Sequence, residues 1–282
     1  MSYKGKALIK DVAYEARASW AFVERNVNLV KRYWGWEVVW LVYSIANSLA
    51  VTFIGAGMEE ISGQAMDSDY LILYLLVGTL VWSYLSVVFN SISEMISWER
   101  WEGTIEYTFM APVRRFTHMI GTTLFAVFYG ILRTLVILGA IVLFFNISLS
   151  NANLGGAIMT LLVGSISFIG FGVLASILPL LFPERGSQMT HIVQALLLLV
   201  SGVYYPVETL PDWMQTVAVF SPATYVLEGM RQALLEGESL GGLWPNLWPP
   251  LVIGAACIPI GLLIFSRAEK YVKYSGRLKR SG

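Results

Sequence analysis

The chain is poor in the residues that build most enzyme centres and metal sites. Its 282 residues include one cysteine, Cys257, and two histidines, His118 and His191. A single cysteine excludes an internal disulfide. The histidines stand apart in the sequence, and neither an H-E-x-x-H nor a G-x-S-x-G pattern occurs. We therefore expect no catalytic residues, no metal site and no cofactor bound by this chain.

A phosphate-binding loop for a nucleotide is also missing. The only Gly-Lys step, Gly5-Lys6, is followed by alanine, whereas a P-loop continues with serine or threonine. If ATP drives this protein, we expect ATP and Mg²⁺ to bind to a separate chain.

Charge of either sign is scarce, since 13% of residues are charged, 56% are hydrophobic and the formal net charge is zero. Without a dense basic surface, nucleic acid is not an expected partner. The few aspartates and the glutamates avoid the centres of the apolar segments. Ion-coupled carriers usually place acidic residues or histidines inside the helix bundle. This pattern therefore disfavours a self-powered secondary carrier.

Six apolar segments have about the 20 residues that a membrane-crossing helix needs. They run near 36–57, 71–90, 119–145, 157–178, 188–205 and 247–265. If the amino terminus is cytoplasmic, all lysines and all arginines except Arg133 and Arg231 fall in or beside cytoplasmic segments. Positive residues near span ends hold loops in the cytoplasm. We predict an all-α polytopic membrane protein of the cell membrane, with six transmembrane helices and both termini cytoplasmic.

Residues before the first span predict an amphipathic helix. Apolar residues between Leu8 and Trp34 recur on one helical face, with most charges elsewhere. We expect residues 1–35 to form a helix lying in the membrane interface, although a soluble helix packed on a partner is the alternative. The membrane domain then covers residues 36–266, and residues 267–282 form a basic cytoplasmic tail. The polar, basic start is not expected to be a removable signal peptide.

The segment between the fifth and sixth spans is apolar but too short to cross the membrane. Pro206 stops a helix, Pro211 can open a short one, and Ser221-Pro222 marks the start of another that Gly237 closes. We predict an extracellular re-entrant helical pair over about 206–237, because irregular backbone at membrane depth must be shielded by protein or water. An extracellular cap above the spans is the alternative.

A compact acidic and aromatic segment lies between the second and third spans, at about 92–113. Glu99, Glu102 and Glu106 have three- and four-residue spacings, which predicts one shared helical face. Trp98 and Trp101 supply apolar anchors. The segment suits a groove on a soluble partner, and the alternative is an ordinary interfacial helix. Glycine at 103 is expected to interrupt the helix and proline at 112 to end it.

Two sequence runs carry a family resemblance. Residues 99–106, ERWEGTIE, are similar to an E-R-x-x-G-T-x-E sequence, and residues 201–231 are similar to an S-G-x-x-x-P…L-P…P-x-T-Y…R signature. In order, spacing and topology the chain resembles the type-two ABC exporter permeases. That resemblance implies a second copy of the chain or a similar permease, two separate ABC ATPase subunits, and a coupling helix within about 92–113.

The resemblance also implies the candidate site residues. The ATPase-coupling set is Glu94, Trp98, Glu99, Arg100, Trp101, Glu102, Gly103, Thr104, Glu106 and Pro112, with a smaller contact from Glu184 and Arg185. The set for the translocation path or gate is Arg133, Tyr204, Tyr205, Pro206, Pro211, Pro222, Tyr225, Glu228 and Arg231. Glu228 and Arg231 lie three residues apart and are expected to pair with each other.

Arg133 falls near the middle of the third span, where an arginine costs roughly 2.5–3.5 kcal/mol on insertion scales unless it is paired or wetted. It therefore faces protein or water in our interpretation. A structural contact to carbonyls, or to a glutamate of the re-entrant region, is favoured over a role in the path.

The function implied is transport of an amphipathic or lipophilic substrate, a drug or a lipid, outward across the lipid bilayer. Export of a polysaccharide or a lipid-linked glycan is an alternative within the same family. A secondary carrier or channel without an ATPase, or a membrane-bound scaffold protein, are alternatives from other classes.

Overall fold

The computed structural model describes residues 3–62, 67–145 and 152–276, and every regular element in these ranges is helical. The first twelve side chains and residues 277–282 of the predicted basic tail lie outside this description. The α-helices are α1 Tyr3–Arg32, α2 Trp34–Ser62, α3 Ser68–Ser93, α4 Met95–Glu102, α5 Ile105–Met110, α6 Arg115–Val142, α7 Leu154–Ala175, α8 Ile177–Leu181, α9 Gly186–Val200, α10 Asp212–Ala218, α11 Pro222–Arg231 and α12 Trp244–Tyr274. A 3₁₀ turn at Val207–Thr209 and a π-helical turn at Gln232–Glu236 complete the path.

Five stretches in the described ranges are long and apolar enough to cross a membrane: α2, α3, α6, α7 with α8, and α12. The predicted fifth span corresponds to α9, which has 15 residues and ends at Val200 rather than at Tyr205. At 1.5 Å per residue α9 is about 22 Å long, shorter than the roughly 30 Å hydrocarbon core. Helix length and composition therefore support five of the six predicted spans.

The core lies where α3, α7, α11 and α12 meet, around Tyr84, Phe89, Phe168 and Phe265. Glycine allows α7 and α12 to approach closely, because a β-carbon on Gly170 would lie 2.8 Å from the β-carbon of Cys257. A larger residue would not fit at this position, so the close contact between α7 and α12 requires glycine there.

The bundle has two ends, which we name after the short helices they carry. The α4 end holds α4, α5, the last turns of α3 and α12, and the first turns of α6 and α9. The α11 end holds α10, α11, the π-helical turn and the first turns of α3, α7 and α12. Contacts define both ends, since Arg115 in α6 binds Glu269 in α12 at 3.0 Å, and the backbone N–H of Asn153 donates to the carbonyl of Ala233.

The short helices of the α11 end begin and end close to the predicted residues. α10 follows Pro211, and α11 starts at Pro222. The predicted single helix to Glu236 continues beyond Arg231 as a π-helical turn, which Gly237 closes in the left-handed conformation. The depth of this helix pair in a bilayer is not part of the fold itself, so its re-entrant character stays a prediction.

Candidate functional site

The acidic and aromatic segment forms two short helices rather than one. Gly103 ends α4 with φ of 74°, a left-handed conformation that glycine adopts without steric cost. Its N–H bonds the carbonyl of Arg100, and the next N–H, of Thr104, bonds that of Glu99. α5 then runs in a new direction to Met110, shortly before Pro112. The predicted interruption at Gly103 is confirmed, and it determines which glutamates reach the surface.

Glu99 is directed into the protein, where it joins α4 to α1 and α6. Its side chain is 2% exposed, and Oε1 lies 2.7 Å from Arg25 Nη1 and 3.0 Å from His118 Nε2. Burial alone would raise the pKa of Glu99, but the hydrogen bond and charge of His118, together with Arg25, lower it. The expectation that Glu99 shares one helical face with Glu106 is therefore wrong, because the two residues lie in different helices and partners within the chain bind the Glu99 carboxylate.

Glu102 makes a second link from α4 to the end of α1. Tyr33 Oη donates to Glu102 Oε1 at 2.6 Å, and Arg32 Nη1 lies 3.3 Å from Oε2. The hydrogen bond to Glu102 raises the pKa of the Tyr33 hydroxyl. Trp101 packs its ring against Tyr33 and against Trp98. α1 thus packs on α4, the helix that the sequence analysis predicted to contact a soluble partner.

Arg100 ties a second face of α4 to α8. It is 2% exposed, and its Nη2 donates to the carbonyl of Leu180 at 3.0 Å while Nη1 donates to that of Pro179. Burial lowers the pKa of the guanidinium, but arginine stays charged because its reference value is above 12. A hydroxyl pair, Ser187 to Ser97 at 2.8 Å, adds a contact from α9. The end of α8 and the start of α9 are therefore both bonded to α4.

α5 is held to α6 and α12. Arg115 donates to the carbonyls of Thr108 and Phe109, both at 2.8 Å, and also binds Glu269. Lys273 lies 2.7 Å from the same Glu269 carboxylate. Together with the bonds of Glu99 and Arg100, these bonds connect the segment from α4 to α5 to four of the five membrane-length stretches, directly or through one side chain. The four are α3, α6, α7 with α8, and α12.

Glu94 lies between α3 and α4 and faces α9. Its Oε1 lies 3.1 Å from His191 Nε2 and 3.4 Å from Thr190 Oγ1. Burial raises the pKa of Glu94, and the charge of His191 opposes that shift. Both histidines of the chain, isolated in sequence, are therefore paired with glutamates of the predicted coupling segment.

The remaining residues of the coupling set lie at the surface. Trp98 is 43% exposed and Trp101 is 56% exposed. Glu106, Pro112, Glu184 and Arg185 are exposed as well, and Thr104 is half-buried. Tyr107, which the sequence did not single out, is 76% exposed on α5 beside Glu106. These side chains form the free surface of the α4 end.

Sequence reasoning missed the residues that hold this segment from other helices. They are Arg25, Tyr33, Arg115, His118 and Glu269. Most of their partners lie about 70 or more residues away, so no local spacing links them. The one signal available in the sequence was the polar stripe of the amphipathic first helix. That stripe shows that charged residues are present, but it does not show which residues they contact.

At the α11 end, Arg231 is buried between helices and does not pair with Glu228. Its Nη1 and Nη2 donate to the carbonyls of Gly202 and Val203 at 3.1 and 2.8 Å, and its guanidinium lies 3.5 Å from the ring centre of Tyr74. Glu228 instead accepts a hydrogen bond from Gln232. The predicted pair is wrong, because the carbonyls of the turn after α9 and an aromatic ring satisfy the arginine.

The tyrosines of the path or gate set brace the turns around α10. Tyr205 Oη donates to the carbonyl of Leu199 at 2.5 Å, and Tyr225 Oη donates to that of Val219 at 3.0 Å. Tyr204 is half-buried against the core, and Pro222 is buried. Pro206 and Pro211 are exposed and flank the 3₁₀ turn.

Arg133 contacts the first membrane-length helix. Its Nη2 donates to the carbonyl of Trp40 at 3.0 Å and to Ser44 Oγ at 2.8 Å. Protein groups thus offset the cost of a cation in a membrane helix. The carbonyl contact agrees with the structural interpretation, while the partner helix is α2 and not the 206–237 region.

Within the described part of the chain no group of three or more His, Cys, Asp and Glu side chains is placed to hold a metal ion. Residues 18–235 match the family described as ABC-2 type transporter. The chain is 25% identical over 169 residues to "Probable multidrug ABC transporter permease YbhR" of Escherichia coli (strain K12), and equally to the protein of that name from Escherichia coli O157:H7. The aligned part covers 60% of this chain and 45% of each relative, so the chain spans less than half of their length.

Several apolar helices of membrane length define a multi-pass membrane protein. The chain belongs to the ABC-2 type transporter family, whose match covers most of its length. It is accordingly a transmembrane permease component and not the catalytic ATPase of such a system.

Proposed function

We propose that this chain is the permease subunit of an ABC exporter, powered by a separate ATPase that docks on the α4 end. The observation that carries the proposal is the bracing of α4. Buried Glu99 fixes it to α1 and α6, and buried Arg100 fixes it to α8. A rigid element so connected transmits a displacement of its surface to the membrane helices instead of absorbing it.

In this proposal the coupling residues have two roles. Glu106, Glu184 and Arg185, together with Trp98 and Tyr107, are exposed and supply the ATPase contact. Glu94, Glu99, Arg100 and Glu102 are positioning residues, which hold the contact surface to the rest of the bundle. Six spans, with α9 and the turn after it as the fifth, and a second permease copy complete the transporter.

Charge reversal at the exposed glutamate tests the docking surface. We expect Glu106→Lys to reduce co-purification with the partner ATPase, because a like charge is placed against the partner's basic groups. Thermal unfolding of the permease should stay unchanged, since Glu106 is exposed. The measurement is ATPase recovery on the immobilised permease and substrate-stimulated ATP hydrolysis in liposomes. Full recovery with normal stimulation would contradict docking at α5.

Orientation in the membrane is testable with single cysteines. The proposal places the α4 end in the cytoplasm, because it gathers the basic residues at the ends of the membrane helices. In a Cys257→Ser background, Ser239→Cys should react with a membrane-impermeant maleimide from outside, and Ser275→Cys only after permeabilisation. Both serines are exposed in the fold. Labelling of both from the same side would contradict a cytoplasmic carboxyl terminus.

The helix pair of the α11 end is proposed as the extracellular gate, dipping into the outer leaflet. Val226 in α11 is 0% exposed, whereas Val219 just before α11 is 56% exposed. We expect Val226→Cys to be unreactive at rest and to react during turnover with ATP, while Val219→Cys serves as the control that reacts throughout. Unchanged protection of Val226→Cys during active transport would favour a static cap.

The cargo is proposed to be amphipathic or lipophilic, a drug or a lipid. The relatives' names contain the word multidrug, which supports this class over a glycan, as do the apolar helices of the bundle.

A further inference from the structure

A cavity of about 540 Å³ lies at the α4 end between α1, α4, α6 and the first turn of α2. Its size falls in the range of about 300–1,000 Å³ that is usual for small-molecule sites. Aromatic rings line it from three helices, with Trp36 on α2, Trp98 on α4, and Phe125 and Tyr129 on α6. The cavity thus combines aromatic rings from three helices with polar and charged side chains, at the level where the first span begins.

The charges that line this cavity are unbalanced. Its carboxylates belong to Glu24, Glu37, Glu99 and Glu102, and its guanidinium groups to Arg25 and Arg32. Each arginine is already engaged by a carboxylate, at 2.7 Å for Arg25 with Glu99 and 3.3 Å for Arg32 with Glu102. Glu37 accepts a hydrogen bond from the Tyr129 hydroxyl but has no cationic partner in the described ranges, and neither has Glu24. The cavity lining therefore holds two more carboxylates than guanidinium groups.

Two buried oxygens on the cavity wall have no hydrogen-bond partner. They are Oε2 of Glu99 and Oγ1 of Thr122, in side chains of residues that are 2% and 3% exposed. A buried carboxylate oxygen without a partner is costly, because its solvation by water has been lost. The Glu99 oxygen is itself out of contact with solvent, so it would act on a ligand in the cavity through its charge and not through a direct bond.

We propose that this cavity is a binding site for a lipophilic organic cation. Carboxylates attract the charge, and the faces of Trp36, Trp98 and Tyr129 bind both the apolar body and the cation itself. An anionic headgroup is disfavoured, since it would meet four carboxylates and two arginines that are already paired. This inference adds a ligand class to the proposed exporter. Transport of the cation rests on the proposed function, whereas its binding to the cavity does not.

Probes of matched shape and opposite charge test the site. The chain in a neutral maltoside detergent is titrated with tetraphenylphosphonium and with tetraphenylborate, with no ATPase present. We expect saturable binding of the cation only. Glu37→Gln should weaken it about tenfold, the equivalent of about 1.4 kcal/mol. Glu24→Gln, on an exposed side chain that folding does not need, should weaken it several-fold, and Glu208→Gln at the α11 end should leave it unchanged.

Tetraphenylborate binding as tight as that of tetraphenylphosphonium would overturn the proposal, as would unchanged affinity in the folded Glu24→Gln, Glu37→Gln double variant. Competition with dihexanoyl-phosphatidylcholine separates two sources of the cation. Displacement of the probe assigns a choline headgroup as a ligand, and its absence assigns a free organic cation. No ATPase is present in these measurements. A failure to bind the cation therefore does not contradict ATPase docking at Glu106, and a failure of docking does not contradict cation binding.

Discussion

Replacing Glu99 by lysine is expected to detach α1 from α4 and to leave little folded permease. The substitution puts a second cation beside Arg25, and removes the acceptor next to His118, in a site where the carboxylate is 2% exposed. Removing one partner of a buried ion pair costs about 3–5 kcal/mol, a large part of the roughly 5–15 kcal/mol that stabilises a typical domain. Thermal unfolding in detergent and protease sensitivity of α1 should both report the loss.

Glu106→Lys is the matched control for this result. It makes the same change of charge seven residues along the chain, on an exposed side chain beyond the break at Gly103. We expect parental thermal stability from Glu106→Lys and a strongly lowered one from Glu99→Lys. Equal stability of the two proteins would mean that the buried link between α4, α1 and α6 does not hold the segment in place.

The contrast between Glu99 and Glu106 shows which features of the candidate site could be predicted from the sequence. Three- and four-residue spacing places Glu99, Glu102 and Glu106 on one face only if the helix is continuous. Gly103 was predicted to interrupt it, and its left-handed conformation turns α5 away from the face of α4. The break was predictable from residue type, whereas the inward direction of Glu99 depends on α1 and α6, which lie far away in sequence.

The same distinction holds at the α11 end. The starts near Pro211 and Pro222 and the end at Gly237 were predictable, because proline and glycine act on the local backbone. The partners of Arg231 were not, since a three-residue spacing to Glu228 is a local rule and the carbonyls of Gly202 and Val203 are brought in by tertiary packing. The end of α9 at Val200 likewise reflects the turn with positive φ at Gly202, which a hydropathy window does not detect.

Loss of Arg100 is expected to uncouple α4 from the α8–α9 loop and so to abolish transport driven by ATP. Its guanidinium donates to two carbonyls at the end of α8. In Arg100→Met, an unbranched apolar side chain replaces the stem of the arginine but leaves both carbonyls without their donors. Each buried polar group left unpaired costs about 1–3 kcal/mol. The permease should therefore unfold at a lower temperature, and substrate should no longer stimulate ATP hydrolysis by the docked ATPase.

Two further substitutions separate this anchoring role from simple loss of charge. Arg100→Lys keeps the charge but presents one donor nitrogen in place of the planar fork, so it should be intermediate in unfolding temperature and in stimulation. Arg185→Met removes an exposed arginine from the loop next to α8, and it should leave the unfolding temperature unchanged while weakening ATPase recovery. A parental unfolding temperature in Arg100→Met would contradict the anchor. A permease with that temperature lowered but with normal stimulation would show instead that α4 transmits motion through α1 and α6 alone, without the bonds to α8.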